Sequence, residues 1–451
     1  MATATDDNAE IRNLDARLFE KSTCWHNSIK RKKMERLYKK LKSYGQSDYY
    51  PFHMPGHKRN RASSADDFLF ERDITEISGF DNLHHAEGIL KEAQEYAAQI
   101  YGTKKCFFSV NGSTAALLAA VSASVNKGGK ILVARNCHKA VYHALYLREL
   151  QPVYIYPHED QRLGINGGIS PERVERYLEE NTDVQAFLLT SPTYDGVVSD
   201  IKTIAEVVHR HKIPLIVDEA HGAHLHYSKY CPVSAADLGA DIVIQSFHKT
   251  LPSMTQTAVL HICSDMADVE KIKRFMGIYQ TSSPSYILMA SMDACMDKLR
   301  KDGQQMFREF TFNLEKARQR LSKCEKIKLI EGSMIEGSGI YDFDRSKLLF
   351  STVGTSVNGR LLHQILRDRY HIEMAAEKYV LGIAAVGDTE EGFERLCTAI
   401  EEIDAEIQQT DESEESQYHT SHARMTQLMT ISQAVDAQQR RYSLKESVGK
   451  V

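Results

Sequence analysis

Seven short apolar runs, separated by amphipathic stretches, constrain the fold of this chain more strongly than any other feature of its sequence. The stretches 89–100, 113–125, 171–180 and 203–210 carry apolar residues at the spacing of one helical face. The alternation of apolar strands with such helices is typical of an α/β domain around a largely parallel sheet. Its ligand is expected at the carboxyl ends of the strands. The predicted strands are 106–110, 131–134, 153–156, 186–190, 214–217, 242–245 and 258–262.

A second, smaller α/β domain is predicted after a mostly helical connection at 263–325. Polar and acidic residues follow it and are typical of a solvated linker, after which a short helix is predicted at about 425–440. The predicted organisation is an amino-terminal extension and helix at 1–48, a large domain at 49–325, a small domain at 326–404, a linker at 405–423 and a helical tail at 424–451.

Composition narrows the class of protein. The 451 residues, 42% hydrophobic and 26% charged, are typical of a globular chain of about two domains. The net charge of -5 gives no basic footprint for nucleic acid, and the sequence has neither an apolar run of membrane length nor a signal peptide. The eight cysteines are scattered without a Cys-x-x-Cys pair, which argues against a zinc site or a disulfide framework. We therefore expect a cytoplasmic protein with reduced thiols, no metal, and neither nucleic acid nor membrane as partner.

The sequence Gln-Ser-Phe-His-Lys-Thr at 245–250 follows the apolar run 242–244, where a buried strand is expected to open into a loop. A lysine held at such a place is desolvated, which lowers its pKa and lets it form a Schiff base. Ser246 and His248, close to Lys249, suit an aldehyde that carries a phosphate. Taken alone, the pattern is more typical of a solvated loop lysine.

Asn-Gly-Ser-Thr at 111–114 lies between a predicted strand and an Ala/Leu-rich helix. Ser113 is the predicted N-cap, and the first free backbone N–H groups of the helix would face the strand ends. Amide donors, hydroxyls and the helix dipole together hold a phosphate. The alternative is plain helix capping.

Asp-Glu-Ala-His at 218–221 closes another predicted strand. A carboxylate at this position can pair with a protonated ring nitrogen and keep it charged. A helicase would need a phosphate loop upstream, but the best candidate, at Gly129, has Ser124 where the first glycine belongs. A metal bound by Asp218 with His221, His224 and His226 is a further alternative, although their spacing matches no standard zinc pattern.

His138 follows a further predicted strand, within Arg-Asn-Cys-His-Lys at 135–139. A histidine there could stack on a flat aromatic ligand or donate a proton, while a solvated loop histidine is the alternative. All these motifs fall on one edge of one sheet. A phosphate holder, a ring stacker, a partner for a ring nitrogen and a Schiff-base lysine together describe a pyridoxal phosphate site.

Longer strings narrow the interpretation, because in this order they resemble the short form of the Orn/Lys/Arg decarboxylase family, which has the fold-type-I pyridoxal phosphate architecture. The resemblance runs from about residue 49 to about residue 404. It is to the short form because the amino-terminal receiver-like domain of the acid-inducible members has no counterpart in this sequence. The strings are PFHMPGHK (51–58), DITEISGFDNLHHAEGILKEAQEYAAQIYG (73–102), FFSVNGST (107–114), RNCHKA (135–140), TSPTYDGV (190–197), DEAHGAH (218–224) and QSFHKTLPSMTQTAVLH (245–261).

The resemblance implies a role for each site residue. Lys249 would carry the internal aldimine, Asp218 would pair with the pyridine nitrogen, and His138 and Ala220 would pack on the two faces of the ring. Thr281, in QTSSPS at 280–285, would reach the phosphate of a neighbouring subunit, which makes a homodimer the smallest active unit. The other cofactor-binding candidates are Gly112, Ser113, Thr114, His221, Ser246 and His248.

The implied activity is decarboxylation of arginine, lysine or ornithine to agmatine, cadaverine or putrescine, through an external aldimine and a quinonoid. His138, His248 or Lys249 would protonate the α-carbon. The family usually continues beyond the segment that resembles 443–451, so the tail is expected to be truncated here.

Two other functions stay open at this point. An aminotransferase or an aldol-type lyase shares the fold, and a transaminase would bind the α-carboxylate with an arginine of the small domain. Candidates for that role are Arg345, Arg360, Arg367 and Arg369. The second alternative is a non-catalytic partner that regulates an active paralogue.

Overall fold

The computed structural model describes residues 35–48, 54–55, 58, 69–160, 162–331, 334–335, 340–367, 372–410 and 426–449. The predicted amino-terminal extension, most of the string 51–58 and most of the acidic linker lie outside these residues.

A seven-stranded sheet forms the centre of the fold. Its order is β1-β10-β9-β8-β6-β2-β3, in which β1–β10 and β10–β9 are antiparallel and the other four pairs are parallel. The mainly parallel sheet and all seven predicted strands are confirmed, each end within two residues. The strands are β1 (Lys105–Ser109), β2 (Lys130–Ala134), β3 (Gln151–Ile155), β6 (Val184–Thr190), β8 (Leu215–Asp218), β9 (Ile242–Ser246) and β10 (Ala258–Ile262).

Alternate residues of the central strands fill two apolar layers. Leu188, Ile216 and Ile244 belong to one layer, and their neighbours Leu189 and Val217 belong to the other. Both faces are therefore covered, which is why these strands are apolar almost without interruption. The first layer is closed by α3 (Gly112–Ser124), α4 (Lys139–Leu147) and α8 (Val269–Tyr279), and the second by α5 (Pro171–Glu180) and α6 (Ile201–Arg210).

Further helices extend the core beyond the sheet. Arg36, buried against the carboxylate of Asp293 at 2.5 Å, holds the start of α1 on the long helix α9. Among the described residues these helices are α1 (Leu37–Gly45), α2 (Ile89–Tyr101), the single turn α7 (Phe247–Thr250) and α9 (Tyr286–Leu321).

A second sheet of four antiparallel strands lies carboxyl-terminal to α9, in the order β11-β13-β15-β14. It is where the small α/β domain is predicted, and the domain boundaries remain predictions. Its elements are β11 (Lys328–Leu329), β13 (Lys347–Ser351), β14 (Met374–Ala375), β15 (Tyr379–Ile383), α10 (Gly359–Arg367) and α11 (Glu390–Glu406).

Two short ribbons complete the strands. One pairs β4 (Glu159–Asp160) with β5 (Ile165–Asn166), and the other pairs β7 (Val197–Val198) with β12 (Asp342–Phe343). The second ribbon joins a loop of the large sheet to the segment that enters β13.

The tail differs from its prediction. Among the described residues 426–449, the one helix is α12 (Ile431–Asp436), which is shorter than the helix of about 425–440 that the sequence predicts. The Thr430 side chain accepts a hydrogen bond from the Gln433 backbone in a capping box, but no residue of α12 is buried. Of its residues, Ile431 packs partly buried against the apolar core, so a longer helix would gain little further burial to stabilise it.

Within the described ranges, no helix combines the length and the apolarity that crossing a membrane requires.

Candidate active site

Lys249 lies in the single turn α7, directly after strand β9. Phe247 is fully buried and anchors this turn, while Lys249 is half-buried. The Nζ of Lys249 lies 2.9 Å from Nε2 of His221. Burial lowers the pKa of the Lys249 amine, and the charge of Lys347 adds to this, while Asp218 and Glu373 oppose it. The amine is therefore closer to its nucleophilic form than a solvated lysine.

Asp218 is the last residue of β8 and is buried beside Lys249. The backbone N–H of Ala220 donates to its Oδ1 at 3.2 Å. Burial raises the pKa of the Asp218 carboxyl to about 6, although this hydrogen bond and Lys249 act in the opposite direction. A buried carboxylate of this kind is stabilised when a cation binds next to it.

Glu219 anchors the turn that carries Asp218, Ala220 and His221. Its carboxylate accepts hydrogen bonds from Ser234 Oγ at 2.7 Å, from the Ala235 backbone at 2.7 Å and from Gln245 Nε2 at 2.6 Å. Burial raises the pKa of Glu219 to about 7. No local pattern predicts this role of Glu219, because Gln245 lies on the neighbouring strand β9, and Ser234 and Ala235 lie in the segment before it.

The proposed phosphate loop departs from its prediction in one respect. Asn111, not Ser113, stands at the N-cap of α3, and no side chain caps this helix. Gly112 has φ +68, which favours glycine, and this turn places Ser113 in the first helical turn. There the hydroxyl of Ser113 lies 2.6 Å from that of Ser246, so the loops after β1 and β9 meet. Thr114 follows at an exposed position.

His138 is the N-cap of α4, where its Nδ1 accepts a hydrogen bond from the Ala140 backbone at 3.2 Å. Burial lowers the pKa of His138, and the charges of Lys249, Lys139 and His143 lower it further. The ring is therefore neutral at neutral pH, with its proton on Nε2.

His248 is fixed by a carbonyl. Its Nδ1 lies 2.9 Å from the Thr257 backbone oxygen, which can only accept, so Nδ1 carries a proton. Nε2 is the ring nitrogen left for other contacts.

Thr281 is exposed, and its backbone N–H donates to Asn111 Oδ1 of the same chain at 3.4 Å. Its carbonyl oxygen accepts from Nε2 of His84 at 2.8 Å. The segment 280–285 thus lies beside the loop that begins α3, and its reach into a neighbouring subunit stays a prediction.

Tyr194 and Glu373 extend the cluster toward the second sheet. The rings of Tyr194 and His221 meet edge to face with centroids 4.8 Å apart, and the Tyr194 hydroxyl donates to Glu373. Neither residue was predicted. Tyr194 lies within a string that resembles the family, but Glu373 is 179 positions away from it.

The metal alternative is not supported by the positions of its four residues. His221 contacts Lys249, His224 contacts Asp344 at 3.3 Å, and His226 contacts Asp237 at 3.2 Å, so they do not converge with Asp218. A different group, His224, Cys231 and Asp344, offers atoms within 4.8 Å of one another. The ammonium of Lys347 already lies 3.3 Å from Asp344 Oδ2 and is the cation of that cluster.

Comparison with known proteins gives the family. Residues 35–355 match the family model described as Orn/Lys/Arg decarboxylase, major domain. An arginine decarboxylase of Bacillus subtilis is 33% identical over 383 residues, which are 83% of this chain and 78% of that protein. The constitutive lysine decarboxylase of Escherichia coli is 26% identical over 286 residues, which are 58% of this chain and 40% of that protein.

A solved structure is similar in fold. The lysine decarboxylase LdcF of Francisella novicida has a TM-score of 0.72 at 20% identity, and the match covers 90% of this chain. It covers 63% of that chain, so this chain spans less than two thirds of that enzyme.

Proposed function

This chain belongs to the Orn/Lys/Arg decarboxylase family, and on that premise we propose that it decarboxylates a basic amino acid, with arginine as the first candidate. The arginine decarboxylase compared above exceeds the lysine decarboxylase from Escherichia coli in identity and coverage. The observation that carries the proposal is the 2.9 Å contact of Lys249 with His221 beside the buried carboxylate of Asp218. Agmatine, a polyamine precursor, and carbon dioxide would be the products.

We propose pyridoxal phosphate as the cofactor, because the described residues suit each of its polar groups. Lys249 offers an amine with a lowered pKa for the aldehyde. Asp218 offers a buried negative charge for a protonated ring nitrogen. Ser113 and Ser246 offer hydroxyls at the start of α3 for the phosphate. The other candidates that remain proposals are Gly112, Thr114, His138, Ala220, His221, His248 and Thr281.

When bound, pyridoxal phosphate supplies a ring that accepts the electron pair left on the α-carbon as carbon dioxide departs. The residues of the chain hold charge and deliver protons around that ring. Asp218 keeps positive charge on the ring nitrogen, which favours this electron flow. His138 carries a proton on Nε2, so this atom is our first candidate to protonate the α-carbon. Lys249 and His248 remain the alternatives, and His248 would first have to gain a proton on Nε2 because its Nδ1 proton is held by the Thr257 carbonyl.

Glu373 is our candidate for binding the distal cation of the substrate. It is exposed, its charge acts on Lys249, and the Tyr194 hydroxyl orients its carboxylate. A carboxylate binds guanidinium or ammonium by charge-assisted hydrogen bonds, and a guanidinium can bind through two of them. The substrate would then lie between Lys249 and Glu373.

The direct test is to incubate the purified protein with pyridoxal phosphate and arginine, lysine or ornithine separately. We expect carbon dioxide and agmatine from arginine, identified by mass spectrometry. Glu373→Gln keeps the size of the side chain but removes its charge. It should raise the KM for arginine roughly 10- to 100-fold, the effect of losing a hydrogen bond to a charged group.

The matched control is Glu377→Gln, an exposed glutamate of the same segment that pairs with Arg360 at 3.4 Å. It should leave KM unchanged. A keto acid instead of an amine as product would contradict the decarboxylase assignment. An unchanged KM in the Glu373 variant would contradict the role of that residue alone.

We further propose a homodimer in which Thr281 of one chain reaches the phosphate site of the other. Supporting this, Thr281 is exposed at the rim of the loop that begins α3. Mixed dimers of Lys249→Ala and Thr281→Val chains should then regain activity, because one of their two sites has both residues. Each variant alone should stay impaired, the Thr281 variant through cofactor affinity weakened about 10-fold. No gain on mixing would contradict sharing across the interface.

We propose a cytoplasmic location as well. Every cysteine that the structure describes is a free thiol, as expected in a reducing compartment. Cell fractionation checks this directly.

The contacts of the small-domain arginines do not favour an aminotransferase. Arg360 pairs with Glu377 at 3.4 Å, and Arg345 lies over the ring of Tyr230 at 5.3 Å. Arg367 is exposed at the end of α10, and Arg369 lies outside the described residues.

A further inference from the structure

A buried ion pair lies where β13 begins. Asp344 and Lys347 are fully buried, and Nζ of Lys347 is 3.3 Å from Oδ2 of Asp344. The other oxygen, Oδ1, accepts from the Ser346 backbone at 3.0 Å and contacts Nε2 of His224 at 3.3 Å. His224 belongs to the same loop as His221. Buried charges are costly unless they are paired, so a pair at this place calls for an explanation.

The ion pair contacts the loop that carries Tyr194 of the candidate active site. The Asp344 backbone N–H donates to the Gly196 carbonyl at 2.8 Å, next to the β7–β12 ribbon. Gly196 has φ +100, and a Cβ there would lie 2.7 Å from Cγ of Lys347, so only glycine fits against this lysine. Tyr194, two residues earlier, contacts the ring of His221. Residues 194–196 therefore contact Lys347 at one end and His221 at the other.

The charge of Lys347 acts on both His221 and Lys249. Burial holds the pKa of His221 well below its usual range, and Lys347 contributes most after burial, followed by Lys249, with His224 adding to them. Asp344 opposes them at His221, and Asp218 and Glu373 oppose Lys347 at Lys249. Burial by itself raises the pKa of Asp344, but His224 and Lys347 outweigh burial and hold this pKa below its usual range. Asp344 is thus the charged partner of Lys347.

We propose that Lys347 is a positioning residue whose buried charge keeps His221 an uncharged hydrogen-bond acceptor for Lys249 and keeps the Lys249 amine ready to attack a carbonyl. A charged His221 would repel a charged Lys249 and could not accept its hydrogen bond. The ion pair with Asp344 holds the Lys347 ammonium in place. Asp344 also contacts His224, so it connects the start of β13 to the loop after β8 that carries His221. This inference rests on the proposed function of Lys249.

The test is the rate at which apoprotein and pyridoxal phosphate form the Schiff base, followed by absorbance as a function of pH. In that step the Lys249 nitrogen bonds to the aldehyde carbon, the carbonyl oxygen leaves as water, and the rate follows the fraction of unprotonated amine. Lys347→Met should move the midpoint of the profile up by about one pH unit. Lys328→Met, at an exposed lysine of the same sheet, is the matched control and should leave the profile in place.

The double variant Asp344→Asn/Lys347→Met separates charge from structure. It removes both charges, so it leaves no unpaired buried ion, and its thermal unfolding shows whether it folds. Its midpoint should stay above that of the wild type, because it also lacks the Lys347 charge, which acts on Lys249, whereas Asp344 is not among the charges acting on that amine. An unmoved profile in Lys347→Met would overturn the inference, and so would a shift in the single variant that disappears in the double variant, because the unpaired carboxylate of Asp344 would then be its cause. Failure of the wild type to form a Schiff base would overturn the proposed function, and the role of Lys347 with it.

Discussion

Replacing Lys249 with alanine should lower decarboxylation roughly 10³- to 10⁴-fold and abolish the absorbance of the Schiff base, while the protein stays folded. Lys249 lies in the turn α7 after β9, and its Nζ is 2.9 Å from Nε2 of His221. Burial lowers its pKa, so the loss removes a nucleophile and not only a surface charge. Because the side chain is half-buried, its truncation should have a modest effect on stability.

Reduction with borohydride, followed by peptide mass spectrometry, identifies the modified residue. We expect the cofactor adduct on the peptide that contains Lys249 in the wild type, and no adduct there in the variant. The control is Lys202→Ala, an exposed lysine on α6, which should keep both absorbance and activity. An adduct on another lysine would show that the site has been misplaced, whereas retained activity without any adduct would contradict the cofactor itself.

The strands of this fold are predictable because each one is decided locally. Leu188, Ile216 and Ile244 lie in strands buried on both faces, so the sequence contains a continuous apolar run at each of them. The residue that follows such a run lies at the carboxyl end of its strand, and the carboxyl ends of parallel strands meet at one side of the sheet. Lys249, Asp218 and His138 could therefore be predicted to share that side before any contact was known.

The contacts that complete the site depend on chain folding over long distances, and no local pattern predicts them. Tyr194 and Glu373 are 179 positions apart, and His224 and Asp344 are 120 positions apart. Ser113 shows the same limit at short range. Its type suits an N-cap, but Asn111 occupies that position, the helix begins at Gly112 with a positive φ, and the Ser113 hydroxyl contacts that of Ser246.

Asp218→Asn should affect activity and stability in opposite directions, and this makes it the more diagnostic of the two substitutions. Asparagine keeps the shape of the side chain and can still accept from the Ala220 backbone, which lies 3.2 Å from Oδ1. It cannot hold positive charge on a bound ring nitrogen. Losing one partner of a buried charge pair costs about 3–5 kcal/mol, so activity should fall roughly 10²- to 10⁴-fold.

The apoprotein should gain stability from the same change. Burial raises the pKa of Asp218 to about 6 in the folded chain, above the value of about 3.9 for an unfolded aspartate. The folded state therefore binds this proton more tightly, and the ionised carboxylate destabilises it above pH 6 by about 2–3 kcal/mol. This penalty fades as the pH falls from about 6 toward about 4, because the folded carboxyl is then protonated and an unfolded aspartate is about half protonated. Asparagine is neutral throughout, so the variant should unfold at a higher temperature than the wild type at pH 7 and at nearly the same temperature near pH 4.

Thermal unfolding of both apoproteins between pH 4 and pH 8, with and without pyridoxal phosphate, measures both effects in one series. The cofactor should raise the melting temperature of the wild type more than that of the variant, because only the wild type gains a partner for its buried charge. Asp183→Asn, a surface aspartate 2.7 Å from Lys130, is the control and should change neither curve by much. A variant that is less stable than the wild type at pH 7 would mean that Asp218 already has a cation in the apoprotein. The buried carboxylate would then stabilise the folded apoprotein. Binding of a cationic ring would no longer be needed to explain why Asp218 is buried.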